Sequence, residues 1–325
     1  MNHFPTLLKR EYWEHRGGLL WAPVWTAGVM TVMLLFGIVV AEIALRNHGI
    51  ETRSHVHVGM DLNAFMTHFP DDKLDELKRG FDVGLMGLTM PLRITLFFVM
   101  LFYCIGSLYD ERKDRSVLFW KSLPVSDAHT VLSKVATVLL VAPLITFAAS
   151  VVLQTSFLMI VATLTWFHGG SPMRMVFGPA EPLALWARML ADVPVNSLWI
   201  LPSVGWLMFA SSFARGKAFL WAVVPPIMLG VMSAMSDLMS TLSLPDAWVW
   251  VHLVARAFPI GLRFAHIERG PVSVGGMRMG DDGPELTWSD LGDTLMDPEL
   301  WIGAVVGVGL IVASIHYRRK RELAD

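Results

Sequence analysis

The chain has 325 residues and a formal net charge of −2, with 54% hydrophobic and 17% charged residues. Water-soluble domains carry about 25% charged residues, so much of this surface faces something other than water. The near-neutral balance gives no general basic excess for nucleic acid, and a single cysteine, Cys104, excludes an intrachain disulfide and a cysteine-based zinc site.

The first element is the N-terminal stretch FPTLLKREYWEHR. On a helix, Phe4, Leu8 and Tyr12 share one face with Leu7 nearby, while Lys9, Arg10 and Glu14 lie elsewhere. Such a helix can rest along a membrane surface as an elbow before the chain turns into the bilayer. It can equally be an aromatic and basic flank that sets topology. The apolar run that follows is far longer than the roughly 7–15 residues of a signal-peptide core, so it is expected to stay as an anchor.

Crossing about 30 Å of hydrocarbon takes roughly 20 helical residues. Six stretches meet that need: 19–45, 83–108, 135–166, 193–213, 218–236 and 300–317. The third is over-long and is expected to tilt, to kink at Pro143 or to project. Pro202, Pro225 and Pro226 also interrupt spans, which requires neighbours to satisfy the freed backbone groups. A seventh apolar run, 247–258, carries His252 and Arg256, with Arg263 continuing the same narrow face and Pro259 interrupting. An interfacial or re-entrant helix suits it better than a span. Arg188 and Asp192 read as an interfacial approach to the fourth span. The long segment 237–298 has a Gly-, Asp- and Pro-rich second half that reads as loop. The expected fold is an all-α integral membrane protein, a single transmembrane domain over 1–325, with an amphipathic elbow helix and a short helix in the connection between the second and third spans.

Charge on the connections sets orientation. Lys9, Arg10 and Arg16, then Arg112, Lys113, Arg115, Lys121 and Lys134, then Arg215 and Lys217, then Arg318, Arg319, Lys320 and Arg321 fall on one side, 14 of the 26 Lys and Arg. That side is expected to be cytoplasmic, with both termini on it. The opposite loops carry acidic clusters at Asp71, Asp72, Asp75 and Glu76 and at Asp281 and Asp282, all expected to be solvated. Within the spans, Glu42 and Arg93 are costly unless paired or placed along a polar path. His48, His55, His57 and His68 share one outer loop without a third ligand at fixed spacing, so no metal is expected there. Gly303 and Gly307 make a small-xxx-small pair for close helix approach, within one subunit or across two.

The inner connection YDERKDRSVLFWKSLPVSDAHTVLSK is the most informative segment. A charged start, Asp110, Glu111, Arg112, Asp114 and Arg115, leads into a short apolar-aromatic run holding Phe119, Trp120 and Lys121, closed by Pro124. Ser126 or Asp127 can then cap the next helix. Aromatic residues ringed by charge suit docking into a partner's groove, or sinking into the headgroup region.

This loop, following a Tyr-Asp-Glu-Arg start, resembles the inner loop of ABC-type exporter permeases of the type-two class. The N-terminal LLKREYWEHRGG and the six-span layout are similar to one bacterial branch of that family. The resemblance implies a bacterial inner-membrane subunit that pairs with a second permease subunit and with separate ABC ATP-binding subunits. It also implies that ATP and Mg are bound by that partner, with no cofactor in this chain. Carried over by motif, Asp110, Glu111, Arg112, Asp114, Arg115, Phe119, Trp120, Lys121 and Pro124 would couple to the ATPase, with Lys9, Arg10, Glu11 and Trp13 in the elbow. The 237–298 segment departs from the short outer helices of compact family members.

No phosphate-cradling Gly-x-x-x-x-Gly-Lys-[Ser/Thr], zinc-protease His-Glu-x-x-His or Gly-x-Ser-x-Gly turn occurs. The resemblance implies export driven by a partner's ATP hydrolysis, and the few ionisable groups in the spans make an amphipathic or apolar substrate the expectation. A non-transporting scaffold or sensor would need the same docking loop. An intramembrane enzyme would need paired polar groups at one depth, which only Glu42 and Arg93 approach.

Overall fold

The structure, a computed structural model, describes residues 4–47, 71–114, 126–167, 169–235, 256, 273–274, 277–280 and 283–321, the side chains of 41–42, 45–47, 71–76, 234, 273–285 and 321 excepted. In chain order the helices of nine or more residues are α1 (Phe4–Glu14), α2 (Ala22–Asn47), α3 (Asp71–Lys113), α4 (Asp127–Ala136), α5 (Ala142–Phe167), α6 (Pro182–Phe213), α7 (Ala218–Met235), α8 (Trp288–Met296) and α9 (Pro298–Arg321). Three π-helical turns, Gly17–Trp21, Thr137–Val141 and Met173–Phe177, join neighbouring pieces. Five helical stretches among the described residues are long and apolar enough to cross a membrane: Gly17–Val40, Leu77–Lys113, Asp127–Phe167, Met173–Phe213 and Pro298–Lys320. The chain is thus a multi-pass helical membrane protein. Helix α7 is apolar but shorter.

Two helices run well past their expected ends. α3 begins at Asp71 rather than near residue 83, because DDKLDELKR is rich in good helix formers and continues the same helix out of the apolar zone. α6 begins at Pro182, a residue preset for a first helical turn, so Arg188 and Asp192 stand inside a continuous helix instead of marking its approach.

The core is built on α6, whose most extensive neighbour is α9, followed by α3. Close approach of α9 needs its small residues. A Cβ at Gly307 would stand 2.6 Å from the Leu201 carbonyl carbon, and one at Gly205 would stand 2.7 Å from the Gly307 carbonyl oxygen. The small-xxx-small pair therefore packs within one subunit: Gly307 meets α6, and Gly303 meets the guanidinium of Arg256. Arg256 lies over the Trp199 ring at 4.6 Å and donates to the Glu299 backbone carbonyl at 2.9 Å; the rest of the 247–258 run is outside the described residues.

At two prolines a side chain from a neighbouring helix replaces the missing donor. Pro143 brings no N–H to the Leu139 carbonyl four residues earlier, and the Ser197 hydroxyl of α6 donates to that oxygen at 2.5 Å. Pro226 likewise brings none to the Ala222 carbonyl, which accepts from Trp206 Nε1 at 2.8 Å. Both bonds join neighbouring helices, so each also fixes packing. In the core, fully buried Gln154 donates to the Leu85 carbonyl at 3.0 Å and accepts from Trp186 Nε1 at 2.8 Å, tying α3, α5 and α6 together.

The segment after residue 268, expected as loop, carries strands and a helix among its described residues. Strands β1 (Ser273–Val274), β2 (Met277–Gly280) and β3 (Gly283–Glu285) pair antiparallel in that order. Two-residue gaps holding Gly-Gly and Asp-Asp are the hairpin signal that composition alone hides. α8 then starts with a capping box, the Thr287 hydroxyl accepting from Asp290 N and the Asp290 carboxylate accepting from Thr287 N.

Candidate functional site

At the end of the bundle that carries both termini, four helices meet around a buried ionic network. Leu7 and Glu11 form the buried face of α1, which packs on α4. Glu11, only 1% exposed, receives the Lys134 ammonium of α4 at 3.0 Å and the Tyr103 hydroxyl of α3 at 2.8 Å. Lys134 also meets the Glu111 carboxylate of α3 at 3.0 Å. Glu111 in turn takes Arg318 of α9 at 2.9 Å, and Arg318 reaches Asp127 in the first turn of α4 at 3.4 Å. The His15 ring stands edge-on to Tyr103, with centroids 4.7 Å apart.

Three carboxylates and two cations thus hold α1, α3, α4 and α9 together, with Asp127 at the partly exposed edge and the other four buried. A buried ion pair of this kind is weak evidence for net stability, since desolvation offsets its attraction. Its strength is directional: removing one member strands another, so the four helices hold one arrangement.

Beside the network, Arg112 closes the end of α6, donating to the Ser211 carbonyl at 2.5 Å and the Ala214 carbonyl at 3.0 Å. The Ser211 hydroxyl donates to the Ile105 carbonyl at 2.7 Å and accepts from Tyr109 N at 3.0 Å, locking α6 to α3.

The residues expected to couple divide accordingly. Glu111 and Arg112 point into the bundle, whereas Asp110 is exposed on the last turns of α3 and Asp114 sits exposed in the turn after it. Arg115, Phe119, Trp120, Lys121 and Pro124 lie outside the described residues. In α1, Lys9 and Trp13 are exposed, Arg10 pairs with Glu14 at 3.2 Å, and Glu11 alone of the four is buried. Arg93 is half-buried on α3; the side chain of Glu42 on α2, and the loop histidines 48, 55, 57 and 68, lie outside the described residues. Lys134, Arg318 and Tyr103 were missed as site residues, being read as topology charges and as part of a span. One signal was available: Lys134 lies inside the apolar run VLSKVATVLL, where an unpaired ammonium is costly.

The opposite end of the bundle holds a cleft of about 330 Å³, lined by Lys78, Asp82, Pro179, Glu181, Ala184, Arg188, Thr287 and Trp288. Arg188 meets Asp82 at 3.4 Å and donates to the Leu286 carbonyl at 2.7 Å. Lys78 meets Glu181 at 3.2 Å. Glu181 has a left-handed backbone, φ 37°, a conformation that costs a non-glycine residue about 1–3 kcal/mol.

Against this geometry, no family model, no curated protein and no solved structure matches the chain.

Proposed function

We propose that this chain is the membrane subunit of an ATP-driven exporter. In this reading α7 is a sixth span, α1 is an elbow on the cytoplasmic surface, both termini are cytoplasmic, and the run Ser116 to Leu123, closed by Pro124, forms a coupling helix seated in a separate ATP-binding subunit. A second permease subunit completes the transporter.

The observation that supports it is where the network is rooted. Glu111 stands four residues before the 115–125 connection, Asp127 two residues after it, and Lys134 about two turns further along α4. Lys134 is tied to α1 through Glu11, Glu111 and Asp127 are tied to α9 through Arg318, and Lys134 joins the two halves by meeting Glu111. A lever that carries work into a bundle needs stiff flanks, and buried charge pairs with fixed partners supply them. Glu111 and Arg112 then serve as anchors of the lever, while Asp110, Asp114, Arg115, Phe119, Trp120 and Lys121 meet the ATPase. The transported substrate is amphipathic or apolar, because few ionisable groups occupy the spans.

The test is co-purification with the ATP-binding subunit, followed by ATPase and liposome transport assays. With Phe119→Ala and Trp120→Ala together, assembly weakens and stimulated ATPase activity falls by about tenfold, as expected when two aromatic anchors leave an interface. Unchanged assembly and turnover would refute the coupling role. Normal assembly with no ATP-dependent movement of any candidate would instead identify a scaffold or sensor.

A further inference from the structure

The cleft at the end away from the termini plays no part in the coupling reading, and its chemistry points to a ligand. Its floor is a fixed pair, Arg188 with Asp82, immobilised by the bond from Arg188 to the Leu286 carbonyl. Its lip is a second pair, Lys78 with Glu181, whose side chains are 41% and 56% exposed. An exposed pair of this kind holds its partners weakly, so each member can exchange the other for a ligand group of the same sign. Although Glu181 stands at the start of α6, its side chain makes no capping bond and remains available at the cleft.

Aromatic residues mark the depth of the cleft. Trp288 lines it and is 59% exposed, while Trp166, Phe167 and Trp301 at the same end of the bundle are also largely exposed. Such rings collect at the headgroup level of a bilayer. A purely anionic group would meet two carboxylates here, and a purely cationic group two basic residues. Only a group carrying both signs satisfies the lip from each side.

We propose that this cleft binds the zwitterionic headgroup of a lipid carrying a phosphate and a primary ammonium, with Lys78 taking the phosphate and Glu181 the ammonium. The primary ammonium matters because its three N–H donors can bond to the Glu181 carboxylate. A trimethylated headgroup has none. Lipid retention here is independent of any ATPase partner, so its failure and that of the exporter reading are separable.

The experiment is native mass spectrometry of the purified full chain from micelles holding equal amounts of phosphatidylethanolamine, phosphatidylcholine and phosphatidylglycerol. The parent protein should retain phosphatidylethanolamine over the other two by about tenfold, the scale of one charge-assisted contact. Lys78→Ala with Glu181→Ala should erase that preference. The exchange Lys78→Glu with Glu181→Lys keeps one charge of each sign at the lip and should keep the preference, which separates recognition from misfolding. Equal retention of the three lipids by the parent overturns the proposal, as does an unaltered preference in the double alanine variant. Loss of preference in the exchange variant also overturns it. Soluble phosphorylethanolamine competing as effectively as the lipid would overturn the lipid assignment.

Discussion

Lys134→Met removes one charge from the buried network while keeping a long apolar side chain. Lys134 is 2% exposed and lies 3.0 Å from carboxylate oxygens of both Glu11 and Glu111. At an effective dielectric of about 20, each contact contributes roughly 5 kcal/mol of attraction before desolvation is subtracted. The net loss on removing one partner of a buried pair is smaller, about 3–5 kcal/mol, because the ammonium's desolvation cost disappears with it and the surviving carboxylates relax toward water. At about 2 °C per kcal/mol for a chain this long, the melting midpoint in detergent should fall by about 6–10 °C. Glu111 still has Arg318, so the stranded group is chiefly Glu11. Adding Glu11→Gln should therefore recover more than half the loss, a coupling that a double-mutant cycle reads directly. Tryptophan-fluorescence melting of the four purified proteins is the assay. A Lys134→Met protein melting within about 1 °C of the parent, or a double variant that is additively worse, would refute a buried network that acts as one unit.

Arg318→Met should loosen α9 from the flank of the 115–125 segment by about 3–5 kcal/mol, seen as faster amide exchange in residues 314–321 and 127–134. Gly307→Ala should lower stability by about 1–3 kcal/mol, since the new Cβ meets the α6 backbone at Leu201; Gly309→Ala, which meets nothing within 4 Å, is the matched control. Trp206→Phe orphans the Ala222 carbonyl and should cost about 1–3 kcal/mol, while adding Pro226→Ala restores a backbone donor and should recover part of it. Cytoplasmic placement is checked with Trp120→Cys in a Cys104→Ala background. A membrane-impermeant maleimide should label that cysteine in inverted vesicles and not in intact cells.

The sequence by itself determined the class of this protein. Runs of about 20 apolar residues can be satisfied only as helices in lipid, so the membrane character and the place of most helices follow from composition and length. It also showed that prolines inside spans need outside donors. Which donors they find is a tertiary matter: Ser197 for Leu139 and Trp206 for Ala222 stand 58 and 16 positions from their partners, on other helices, and nothing within the proline's own helix selects them. The ends of α3 and α6 escaped because hydropathy reports where apolar residues stop, whereas helices continue through charged residues that favour them.

Only the tertiary structure decided what the charges do. Lys134 and Arg318 belong to the same basic surplus as Arg319 and Lys320, and one-dimensional counting gives all four the same role. Folding brings Lys134 onto a glutamate 123 positions earlier and Arg318 onto one 207 positions earlier, which turns two topology charges into buried struts. Burial depends on the three-dimensional crossing of α1, α3, α4 and α9, and no pattern of neighbouring residues encodes that crossing.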